Sequence, residues 1–146
     1  MSKSNTFEND LLQLIFNNVD IADIGDAGGL QNSATAGSLY VALHTGDPGE
    51  AGNATTSEAA YGSYARVAVA RSGAGWTVAG NEAENFALIQ FPECTSGSET
   101  ITHVSITTAS SGTSKILYSG ALSASRAISS GIQPQFAATA LTVTED

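Results

Sequence analysis

The chain has 146 residues, 42% of them apolar and only 13% charged, with 15 glycines and a formal net charge of -9. A length of this order buries roughly two-thirds of its unfolded surface around one core without disulfides or metal, and sparse charge with abundant Gly, Ser, Thr and Ala favours a turn-rich β protein over a helical bundle. Five Lys and Arg against 14 Asp and Glu exclude a basic groove for nucleic acid.

Helical period occurs once, in NTFENDLLQLIFNN. Phe7, Leu11, Leu14 and Ile15 share one face there, Leu12 and Phe16 widen it, and Glu8, Asp10 and Gln13 point elsewhere. Asn5 followed by Glu8 has the form of a capping box, so residues 1–19 are predicted to hold one short amphipathic helix. Asp20 to Gly37 reads DIADIGDAGGLQNSATAG, with turn formers and no period. Residues 20–38 are therefore expected to form a flexible acidic, Gly-rich linker.

Past Gly37 the period becomes two. Strands are predicted over 39–45, 64–71, 76–79, 85–91, 101–108, 115–122, a marginal 126–128, 133–137 and 141–145, separated by DPGEAG, RSGAG, AGNE, TSGSE, SSGTS and SSG. About eight short strands at this spacing predict a mainly β chain, an antiparallel, jelly-roll-like β-sandwich over 39–146. Alternation assigns Leu39, Val41, Leu43, Ala65, Val67, Val69, Ala87, Ile89, Phe91, Val104, Ile106, Leu141 and Val143 to the core.

The stretch LYVALHTGDPGEAG gathers His44, Asp47 and Glu50 behind an apolar strand. With Leu39, Val41 and Leu43 inward, Tyr40, Ala42 and His44 take the opposite face, where an exposed or turn-bonded His44 is expected. Asp47 then has a structural task, accepting backbone N–H bonds across the Gly46–Gly49 turn. A metal shared by His44 and His103 would need a third ligand, and no HExxH or similar spacing supplies one.

Other chemistries lack their context. A serine triad has no GxSxG elbow; Asp20, Asp23 and Asp26 are not in EF-hand order; GDAGG, SGAG and SSG lack the ending of a phosphate loop. The single Cys94 excludes an internal disulfide and a cysteine zinc site, and shows no basic neighbour to activate it. No apolar run has the length of a membrane span, and the N-terminus lacks the form of a signal peptide. A soluble protein with no catalytic residues, cofactor, metal, nucleic-acid or membrane partner is expected. Trp76, beside Gly75, is read chiefly as core packing; with Tyr61 and Tyr64 it also offers a candidate aromatic platform for a sugar or another subunit.

LYVALHTGDPGEAG, SEAAYGSYARVAVAR, NFALIQFPEC, THVSI, ILYSGAL and FAATALTVTED, in that order, resemble a family of small tailed-bacteriophage virion proteins, commonly labelled tail fibre or minor structural proteins. The likeness runs from about Leu39 to the C-terminus, LYVALHTGDPG and GSYARVAV being its most specific pieces, and TFENDLLQLIF has the same character. The long acidic stretch before the first strand departs from shorter members. The resemblance implies a non-enzymatic virion component made in the host bacterial cytoplasm, either a fibre part or a capsid decoration or cement protein. Such a component would self-associate and contact other virion proteins through sheet edges, loops and the helix patch of Phe7, Leu11, Leu14, Ile15 and Phe16. The alternative is a carbohydrate or receptor-binding module on a fibre, recognising a host glycan through the loop 46–63 with Tyr61, Tyr64 and Trp76.

Overall fold

The computed structural model describes residues 1–146. One helix, α1 (Asn5–Asn17), precedes nine strands: β1 (Ser38–His44), β2 (Val67–Ala70), β3 (Trp76–Ala79), β4 (Glu82–Asn85), β5 (Ile89–Gln90), β6 (Ser98–Thr107), β7 (Ile116–Ser129), β8 (Gln135–Phe136) and β9 (Thr142–Thr144). They form sheets of order β2-β1-β6-β7, β3-β4-β9 and β5-β8. The expected architecture, antiparallel sheets behind a short N-terminal helix, is what the chain adopts. Two compact units divide it: Met1–Ser38 with Val69–Leu88 and Phe136–Asp146, and Leu39–Ala68 with Ile89–Gln135.

In the first unit, α1 packs on β3 and β4. Ser4, not Asn5, caps it, its Oγ accepting the Phe7 N–H at 3.4 Å, so Glu8 falls one position too late to close a capping box. Two adjacent cap-forming residues left that boundary open by one. At the other end Asn18 takes the left-handed conformation (φ 59°), and its N–H and that of Val19, the latter at 3.2 Å, both reach the Gln13 carbonyl, which satisfies a carbonyl of the last turn. The buried stripe is Glu8, Leu12 and Phe16, while Phe7, Leu11, Leu14 and Ile15 are half-buried. Apolar residues occupy so much of this helix's circumference that period alone does not place the centre of the stripe. Trp76 does, its ring meeting Phe16 edge-on at 4.8 Å.

Gly75 precedes Trp76 because the chain turns tightly there; a Cβ would lie 2.1 Å from the Ala70 carbonyl oxygen. Arg71 closes the helix, its Nε donating to the Ile15 carbonyl at 2.7 Å and its Nη2 to that of Leu14. A cation here suits the negative end of the helix. The acidic segment after α1 is tied at its ends: Ile21 and Leu30 exchange backbone bonds of 3.0 and 2.8 Å, and Asn18 bonds both ways with Ser33. Asp26 serves as a turn acceptor for the N–H groups of Gly28 and Gly29.

In the second unit, β1 pairs antiparallel with β6 from Tyr40↔Thr107 to His44↔His103. Leu39, Val41, Leu43, Val104 and Ile106 are buried as the alternation requires. The other face is buried too: Ala42, His44, Ser105 and Thr107 are all closed off. The 53–61 segment bonds along this pair, the Thr45 N–H reaching the Ser57 carbonyl and the Ala59 N–H the Leu43 carbonyl, each at 2.8 Å. Period two detects the inward face; it does not reveal that a loop covers the outward one. The 64–71 and 85–91 runs also depart from expectation: Ala65 and Ala87 are exposed and Arg66 is buried, because regular pairing there is confined to β2, β4 and β5.

Candidate functional site

The densest set of interacting polar side chains lies in the second unit, where LYVALHT, SEAAYGSYAR and β6 meet. Arg66 has a side chain only 1% exposed. Its Nε and Nη2 bind Glu58 in a two-pronged ion pair at 2.6 and 2.8 Å, its Nη1 donates to the Ala109 carbonyl and Ser114 Oγ, and Nη2 also reaches the Gly112 carbonyl. A buried guanidinium requires this degree of satisfaction. Glu58, the first cause, holds the Arg66 pKa above its ordinary value. Tyr64 extends the network: its hydroxyl donates to Glu58 Oε1 at 3.2 Å and accepts the Leu43 N–H at 3.0 Å, and burial pushes its pKa well up.

His44 sits beside this network. Its Nδ1 lies 2.9 Å from the Thr56 carbonyl and its Nε2 2.7 Å from Ser105 Oγ. A carbonyl can only accept, so Nδ1 carries the proton and Nε2 accepts from the serine hydroxyl. Burial lowers the His44 pKa, outweighing the upward pull of the Thr56 hydrogen bond and Glu58. The expected exposed face for His44 is thus corrected, although its bond to a loop carbonyl is present.

The serine and histidine resemble two members of a hydrolytic triad, but the third partner is a backbone carbonyl, and Ser105 is 1% exposed. No substrate carbon can approach its oxygen. His103, opposite His44 in register, turns its Nδ1 to Thr102 Oγ1 at 2.9 Å, and no three His, Cys, Asp or Glu residues gather to hold an ion. Asp47 does what its turn position predicts, accepting the Gly49 N–H at 2.8 Å.

The rings read as a candidate sugar platform are interior. Trp76 is wholly buried in the first unit and Tyr61 is 4% exposed in the second, so neither offers an open face for stacking. The Tyr61 hydroxyl donates to the Pro92 carbonyl at 3.0 Å, and burial raises its pKa to about 12; Tyr64 stacks on Phe91 at 6.3 Å. Sequence reasoning passed over Arg66, Glu58 and Ser105. One signal pointed to Arg66: in a chain with five basic residues, an arginine inside a period-two run has a specific partner more often than a solvated one.

The geometry describes a largely buried polar clasp, which joins the two sequence pieces with the most specific phage-virion likeness. The model of one protein family, described as Podophage GP4 fiber I protein gp80, matches residues 2–144. The chain belongs to this fibre protein family. The match includes α1 and the acidic segment as well as the β region, so the family extends over the part where the resemblance was thinnest. No curated protein matches the chain. Membership makes it a phage structural fibre component, and no helix is long and apolar enough to cross a membrane.

Proposed function

We propose that the chain is a non-enzymatic virion part that works by assembly, binding further copies of itself and other virion proteins through sheet edges, loops and the half-buried helix residues Phe7, Leu11, Leu14 and Ile15. The family match over residues 2–144 carries this reading. The inward-turned chemistry supports it: the groups that could have formed a site, His44, Ser105, Glu58 and Arg66, are engaged with one another and with backbone. The chain is made in the host cytoplasm and incorporated into particles, as a fibre component or a capsid-surface protein.

Quantitative mass spectrometry of purified particles tests this, together with labelled-antibody electron microscopy. Multiple copies per particle, placed on a projecting fibre or on the shell, are expected. Absence from washed particles, or turnover of a substrate by the purified chain, would count decisively against it.

A further inference from the structure

Resting on that assembly reading, we infer that the open edge of β7 takes a second copy of this chain, strand against strand, with Lys115 and Arg126 seated on the acidic surface of that copy. β7 is the last strand of the β2-β1-β6-β7 sheet, with β6 on one side and no strand on the other. Such an edge presents a row of backbone donors and acceptors suited to another strand.

Its side chains leave the edge open. Ser119, Gly120 and Ala121 are small and exposed, and β7 contains neither proline nor an acid. The register with β6 jumps between His103↔Ala121 and Ile101↔Arg126, so Leu122–Ser125 bulge from the ladder. A second shift falls between Ile106↔Tyr118 and Thr107↔Ile116, so the straight edge is Tyr118–Ala121, about 13 Å of strand.

Charge selects the occupant. Of the five basic side chains, Lys3 pairs with Glu145, Arg66 with Glu58, and Arg71 with the carbonyls that end α1. Lys115 and Arg126, both exposed, form neither an ion pair nor a side-chain bond of this kind, and they flank the straight edge. Between Glu99 and Glu145 the sequence contains no acid at all. Every carboxylate lies outside this stretch, so two copies, each of net charge -9, repel least where one presents β7. The remaining surface of the second copy supplies the carboxylates that Lys115 and Arg126 lack.

Sedimentation velocity of the full chain, from micromolar to submillimolar concentration, tests this. Concentration-dependent self-association is expected. The double variant Lys115→Glu/Arg126→Glu should weaken it by roughly tenfold or more with an unchanged melting temperature, and Lys115→Arg/Arg126→Lys should retain it. Hydrogen exchange of residues 118–121 should slow on association. A chain monomeric throughout, association indifferent to the charge reversal, or protection confined elsewhere would overturn the inference. If the protein is present in particles yet monomeric when purified, β7 does not bind its own kind and the virion reading stands; absence from particles removes that reading itself.

Discussion

Arg66 shows how a chain with few cations uses one of them. Its N–H groups make five hydrogen bonds, two to Glu58 and three to the 109–114 turn. Arg66→Met leaves the Glu58 carboxylate without its cation, and a loss of about 3–5 kcal/mol is expected in urea denaturation. Adding Glu58→Gln to that variant should recover part of the loss, since the uncompensated charge is then removed. His44 gives the fold a pH dependence of definite sign. Its folded pKa lies below the ordinary 6.5, so the unfolded state binds the proton more readily. The His44 contribution is full above about pH 6.5 and is lost as pH falls toward the folded pKa. Unfolding midpoints measured between pH 5 and 7 should fall on acidification, with a shallower slope in His44→Gln.

Asn85, at the end of β4, ties one element to another. Its Nδ2 donates to the Ala87 and Ala137 carbonyls at 2.7 and 2.8 Å, and its Oδ1 accepts the Leu141 N–H at 2.8 Å. Asn85→Leu leaves the buried Leu141 N–H and the Ala87 and Ala137 carbonyls without this partner and should destabilise by about 3 kcal/mol, read from thermal melts. In the turn that Asn85 holds, Thr139 has φ 63°, a conformation strained for a β-branched residue. Thr139→Asn is expected to raise stability by up to about 1 kcal/mol, since asparagine tolerates this region.

Neither residue was legible in the sequence as what it is. Asn85 opened a predicted strand and Thr139 lay between two others, and two of the amide's three partners, at Ala137 and Leu141, are backbone groups distant along the chain. What was legible followed from local chemistry: the Asp47 turn, the helix from residue 5, and the inward alternation of Leu39, Val41 and Leu43. The His44 and Ser105 pair was hidden for the same reason as Asn85. A strand face looks solvent-bound in the sequence until a covering loop, here 53–61, is placed on it.

At the scale of the whole molecule, the polypeptide passes between its two compact units four times, at residues 38/39, 68/69, 88/89 and 135/136. Each unit contains a natural probe that the other lacks. The single tryptophan, Trp76, belongs to the first and the single cysteine, Cys94, to the second, and both are wholly buried. Indole fluorescence therefore follows the loosening of one unit, while the rate at which a thiol reagent labels Cys94 follows the other, with no engineered probe. A backbone that crosses so often binds the fates of the two, and both signals are expected to change at a single denaturant midpoint. Separate midpoints would show instead a molecule that comes apart in stages, its thiol and its indole uncovered at different moments.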